Sequence, residues 1–163
     1  MNTLVDCTVT PVNRQRRRLI YLPSNTATDY ISYCEEVGCE WEGLLNRICE
    51  KFDTAALIEL PYFLQERGMS KIAAGIEVPF YYEKPLPDGY KMAELSECTM
   101  LYFQSVLYDN PDDFGKYIGQ VFKAVENYDL KQNGYQLAND LAPVFNFGAT
   151  PEMGARLAIP VRK

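Results

Sequence analysis

Lys71-Ile72-Ala73-Ala74-Gly75-Ile76-Glu77-Val78-Pro79 is the stretch on which the fold turns. Successive side chains of a strand point to opposite faces, so Ile72, Ala74, Ile76 and Val78 make one apolar row. The opposite row, Lys71, Ala73, Gly75 and Glu77, holds small residues and charge. The first row calls for a covering layer of helices. The second suits a concavity, because bulky chains are missing where a sheet face would otherwise need cover. The chain closes on a similar run, Leu157-Ala158-Ile159-Pro160-Val161, whose Leu157, Ile159 and Val161 belong to the core and leave Arg156 and Ala158 opposite.

Working outward, a helix is predicted after Asn110, which can cap it. Pro111 sits at the first helical position, and Asp112 and Asp113 favour the positive end of the dipole. Phe114, Ile118, Val121, Phe122 and Val125 share one face, with Lys116, Gln120, Lys123 and Asn127 on the other. Gly115 and Gly119 lower helix propensity, which points to an element packed close against them. An earlier helix is predicted over 40–51, with Trp41, Leu44, Leu45, Ile48 and Phe52 at helical spacing; a separate turn of helix fits 28–37, ended by Gly38. Strand-like runs are 17–22, 54–60, 71–82, 90–94, 99–105, 135–138, 144–148 and 156–161. Pro85, Pro87, Asp88 and Gly89 mark a turn between halves. The order is strand, helix, strand, strand, and then the same again. This predicts an α+β fold of tandem β-α-β-β repeats, about 17–84 and 90–163, with an antiparallel sheet, two helices on one face and a ligand cleft on the other. Residues 1–16 read as an N-terminal extension or linker stub.

Composition narrows the function. The 163 residues suit one domain, and no apolar run approaches the ~18 residues of a membrane span. With no signal-peptide pattern at the start, a cytoplasmic protein is expected. The net charge is −6, which opposes binding a phosphate backbone. Arg14, Arg16, Arg17 and Arg18 form the one basic cluster, open to reading as a solvated approach to a strand, a linker stub or a nucleic-acid arm. Five cysteines without a secretory signal fit reduced thiols, and their spacing matches no zinc site. The chain has no histidine, which removes Ser-His-Asp and Cys-His nucleophile systems, histidine-ligated haem and nearly every catalytic zinc centre. No metal, cofactor or catalytic set is expected.

The candidate ligand site comes from the uncovered sheet face. Glu77 and Arg156 fall there by alternation, with walls from Tyr21, Tyr102, Phe145 and Phe147. Each aromatic is equally open to a core role, and Trp41 to that of a helix anchor or a ligand plate. Tyr82 is a further candidate, as a partner of Glu77. An isolated charge in a partly dry cavity is costly, so Glu77 and Arg156 are expected to neutralise each other.

The segments 33–45 (Tyr33-Cys34-Glu35-Glu36-Val37-Gly38-Cys39-Glu40-Trp41-Glu42-Gly43-Leu44-Leu45), 52–56, Gly75–Pro79, Met100–Gln104, Phe145–Gly148 and Ala158–Val161 resemble the effector-binding domain of AraC/Rob-type transcriptional regulators, of the gyrase-inhibitor-like (GyrI-like) superfamily. The resemblance covers about residues 17–163. It implies a pocket across a pseudo-twofold that senses a hydrophobic or aromatic small molecule, in a bacterial regulator, as a monomer or weak homodimer. Two features depart from that pattern. Many members carry a glutamate four residues before the last-strand proline, attracting cations; here that position is Arg156, which opens the site to anionic or zwitterionic ligands. No helix-turn-helix signal occurs, so no direct nucleic-acid contact by this chain is expected, and no membrane contact. Ligand sensing without chemistry is the leading reading. The alternatives are a free-standing hydrolase of reactive electrophiles, using Glu77 with Tyr102 or Tyr82 to direct water, and a gyrase-inhibitor-like protein.

Overall fold

The computed structural model of the chain describes residues 7–163. In chain order the elements are β1 (Cys7–Arg14), β2 (Arg17–Pro23), α1 (Tyr30–Val37), α2 (Trp41–Asn46), β3 (Ala56–Glu59), β4 (Ile72–Pro79), β5 (Lys91–Leu95), β6 (Cys98–Ser105), α3 (Phe114–Asn127), β7 (Gln136–Leu137), β8 (Val144–Thr150) and β9 (Gly154–Arg162). The strands form one sheet in the order β1-β6-β9-β8-β3-β4-β2-β5, with β7 added beside β9, and every pairing is antiparallel. This is the expected class, α+β with a large antiparallel sheet. No helix among the described residues is long and apolar enough to cross a membrane.

Helices cover one face. Ile20, Leu57, Ala74, Ile76 and Val78 meet Tyr33, Trp41 and Leu45 there, and Leu101, Phe103, Leu157, Ile159 and Val161 meet Val121 of α3. Strand alternation sends Leu19, Tyr21, Ile58, Ala73, Met100, Phe145 and Ala158 to the other face, where they form a third buried cluster. That face is therefore less open than an uncovered cleft, because the sheet curves around it. The curvature is measurable. Arg14 on edge strand β1 reaches Glu77 on β4, although four strands separate them in the sheet order. Gly75 on β4 is closely approached, since a Cβ there would lie 2.8 Å from Ile58 Cδ1 and the Ile58 side chain would have to shift.

Several expectations change. Cys7–Arg14, read as part of an extension, is an edge strand paired with β6 from Cys7↔Ser105 to Arg14↔Cys98. Its Pro11 is tolerated because an edge strand leaves one row of backbone groups unpaired. The helix expected over 40–51 is only Trp41–Asn46. Asn46 turns its side-chain oxygen to accept from the backbone N–H of Ala55, leading the chain into β3. The longer helix of that pair is α1, fixed by a capping box between Asp29 and Ser32. Asn110 does cap, accepting from the N–H of Asp112, but it caps a 3₁₀ turn that precedes α3. The inward face of α3 centres on Val121 and draws in Tyr117, Ile118, Ala124, Val125 and Tyr128, which leaves Phe114 and Phe122 exposed. No neighbour lies within 4 Å of where a Cβ of Gly115 or Gly119 would stand, so neither glycine answers to a close packing contact among the described residues.

Candidate functional site

Glu77 lies on the face away from the helices, as alternation requires, but its partner is not Arg156. Arg17, at the start of β2, is completely buried. Its Nε and Nη2 both lie 2.7 Å from Glu77 Oε2, and its Nη1 donates to the Ser96 carbonyl at 2.7 Å. Arg14 adds a second cation, with Nε 3.3 Å from Glu77 Oε1 and Nη2 donating to the Tyr102 hydroxyl at 2.7 Å. Its guanidinium stands 5.4 Å from the ring centre of Phe52 and 5.7 Å from that of Tyr102. Arg156, on β9, pairs with Asp53 at 2.8 Å, donates to Thr54 Oγ1 at 3.0 Å, and lies 4.5 Å from the Phe147 ring centre.

The direct Glu77–Arg156 pair is thus replaced by two separate groups, Glu77 with Arg17 and Arg14, and Asp53 with Arg156. Arg17 reaches Glu77 as a diagonal neighbour on the paired strand, where Leu19 stands opposite Glu77, whereas Arg14 reaches it through the sheet curvature that brings the end of β1 to β4. This arrangement also changes the role of the basic cluster. Arg14 and Arg17 are internal counterions, Arg16 pairs with Glu94 at 3.2 Å, and Arg18 donates to the Tyr82 carbonyl at 2.7 Å. Neither a loose linker stub nor a free arm describes them.

Tyr102, Phe147 and Phe145 line up on this same face. The Tyr102 and Phe147 rings stack at 5.8 Å and 16°, and Phe147 and Phe145 at 5.6 Å and 9°. A β-bulge between Asn146 and Gly148, where Gly148 takes φ 77° and Asn146 accepts its N–H, sets the bend of β8 at Phe147. Phe145 is buried, Tyr102 and Phe147 are half-buried, and Phe52 is exposed. Burial pushes the Tyr102 phenol up from its ordinary pKa, with Arg14 pulling the other way, so it stays protonated at neutral pH. Tyr21 shares the face but belongs to the buried cluster.

Two candidates lie elsewhere. Trp41 sits on the helical face, edge-on to Tyr33 at 5.7 Å and to Tyr30 at 6.1 Å, which makes it a helix anchor. Tyr82 also joins the helical cluster. The strand expected over 71–82 ends at Pro79, in a turn closed by the Tyr82 N–H on the Pro79 carbonyl, and the even count that puts Val78 on the helical face puts Tyr82 there too, away from Glu77. Alternation within 17–22 does put Arg17 on the face of Tyr21, diagonal to Glu77 on the next strand; Arg14, Phe52 and Asp53 lie outside the expected strands, and no local pattern encodes their contacts. Around the aromatic row stand three guanidinium groups and two carboxylates, one positive charge in excess. A separate cavity of about 150 Å³ lies past the far end of β3, among Glu59, Leu60, Tyr62, Gln65, Lys71, Asn139 and Ala142. It is smaller than the roughly 300 Å³ at which drug-sized sites begin. Among the described residues no cluster of acidic or cysteine side chains is disposed to hold a metal.

No family model matches the chain, and no curated protein matches it. One similar solved structure is a chain of the cryo-EM EcmrR–DNA complex in EcmrR-RPo, with TM-score 0.48 and 10% identity over 97% of this chain and 58% of that one. The present chain spans less than two thirds of that protein's length. A likeness this loose bears on neither ligand nor activity.

Proposed function

We propose that this chain is a small-molecule-binding regulatory module, built as two β-α-β-β units (β2–α1/α2–β3–β4 and β6–α3–β8–β9) whose β3 and β8 meet in the middle of the sheet. The observation that carries the reading is the half-buried Tyr102–Phe147 stack, flanked by the guanidinium groups of Arg14 and Arg156 on the sheet face away from the helices. Taking ion pairs out of water seldom adds stability over apolar packing, so their presence beside accessible rings suits recognition. The ligand class is a planar aromatic carrying a carboxylate or another anion. Its ring would stack on the exposed Phe52 ring, and its charge would meet the positive excess. The cation preference of the resembling domains does not carry over, because the Glu77 carboxylate already faces two arginines. Those same contacts occupy both carboxylate oxygens of Glu77 and leave neither free to direct a water, which favours binding over hydrolysis. Duplex DNA is no part of this proposal, given the acidic chain.

Titration calorimetry with benzoate and benzamidine, matched in shape and opposite in charge, tests the reading. Benzoate should bind about tenfold tighter, the effect of roughly 1.4 kcal/mol from one unscreened charge. Trp41 emission should stay constant on binding, since the indole lies across the sheet. Absence of saturable binding by any aromatic anion to the folded protein would end the proposal.

A further inference from the structure

Glu77 has a complete partner without Arg14. Arg17 brings Nε and Nη2 to 2.7 Å from one carboxylate oxygen and is itself fully buried, so that pair is neutral and closed. Arg14 nevertheless sits against the other oxygen, with its side chain only 19% exposed. Around its guanidinium stand a carboxylate oxygen, the Phe52 and Tyr102 rings and a phenol oxygen, the surroundings a planar cation is best held by. The fit is incomplete, for Arg14 Nε is buried and makes no hydrogen bond. Arg14 is the last residue of β1, opposite Cys98 on β6, so its side chain enters the box from the end of an edge strand.

We propose that Arg14 is an internal cation seated in a receptor for planar cations, and that it sets the charge selectivity of the aromatic site. With Arg14 in place the site has one positive charge in excess and takes anions. Without it, the Glu77–Arg17 pair and Asp53–Arg156 pair balance, and the vacated box takes an amidinium or guanidinium. The anionic half of this statement rests on the ligand reading above; the cationic half stands on the geometry of the box alone.

The test compares wild type, Arg14→Ala and Arg16→Ala, the last removing a neighbouring exposed arginine as a control for overall charge. Calorimetry uses benzoate and benzamidine, and thermal melts are run with and without ethylguanidinium. Arg14→Ala should reverse the preference, with benzamidine gaining about tenfold or more, and ethylguanidinium should raise its melting temperature but not that of wild type. Arg16→Ala should keep the wild-type preference. A folded Arg14→Ala protein with unchanged benzamidine affinity and no response to ethylguanidinium overturns the inference, while benzoate binding by wild type would leave the ligand reading standing. Conversely, ethylguanidinium rescue and benzamidine gain in a protein whose wild type ignores benzoate sink the ligand reading and support the seat for Arg14. Should Arg14→Ala melt below the assay temperature, Arg14→Met keeps the apolar stem and decides the matter: loss of the benzoate preference supports the inference, and its retention overturns it.

Discussion

Arg17 is the bulkiest side chain that the fold buries completely, and its charge is answered by a carboxylate that is itself only 5% exposed. A pair of this kind is most sensitive to losing one member, since the survivor is left charged in a poor solvent. Glu77→Gln should therefore destabilise by roughly 3 kcal/mol or more, with Arg17 and Arg14 both deprived of their counterion. Urea unfolding of the variant against wild type measures this, and a loss under about 1 kcal/mol would show that water reaches the pair. Alternation correctly puts Glu77, Arg156, Tyr21, Tyr102, Phe145 and Phe147 on one face, because a period of two holds wherever a strand is regular. The same count puts Tyr82 with Val78 on the helical face, where it lies, and alternation is silent on partners. Arg17 meets Glu77 through the β2–β4 register, but the contact of Arg14 with Glu77 depends on how tightly the sheet bends, and no local stretch records that.

Among the elements, α1 shows how one side chain can secure a connection. Glu36 accepts from the backbone N–H groups of Asn25 and Thr26, at 2.6 and 2.9 Å, fastening the loop after β2 to the helix. The Thr26 and Asn25 donors hold its carboxyl below the ordinary value of 4.5. A folded-state pKa depressed in this way adds stability that is present above the ordinary value and disappears as pH falls through the depressed one. Melts of wild type and Glu36→Ala from neutral pH to about pH 2.5 should therefore start apart and converge on the acid side. A gap that persists at the acid end would assign the effect to packing. The capping box of Asp29 and Ser32 was legible in principle, as an acceptor three residues ahead of a hydroxyl, but it stands just before a short helix with a single buried residue, Tyr33, and so a weak periodic signal. The inward face of α3 was nearly legible. Phe122 lies about 100° around the helix from Val121, beyond the edge of the stripe, while Phe114 falls on the stripe but at the first residue of the helix, where nothing covers it, and half or more of each ring remains in water.

At the scale of the molecule, the question is whether the two strand groups, β5-β2-β4-β3 and β8-β9-β6-β1, behave as one body. They share a short ladder, Leu57↔Asn146, Ile58↔Phe145 and Glu59↔Val144. A ladder of that length is marginal by itself. Two further links cross between the groups: Arg156 on β9 pairs with Asp53 just ahead of β3, and Arg14 on β1 pairs with Glu77 on β4. The larger tie is apolar. The cluster on the concave face takes Leu19, Tyr21, Ile58 and Ala73 from one group and Met100, Phe145 and Ala158 from the other, so neither can leave without exposing the other's core. A single cooperative transition is the consequence. Trp41 makes this measurable, since its contacts with Tyr30 and Tyr33 lie wholly within the first group. Its emission reports that group alone, while far-UV circular dichroism reports the backbone of both. In a urea titration the two curves should share one midpoint and one slope. Separate midpoints would mean that the curved face is a contact between independently stable parts, and a ligand bound there would then act by closing a hinge.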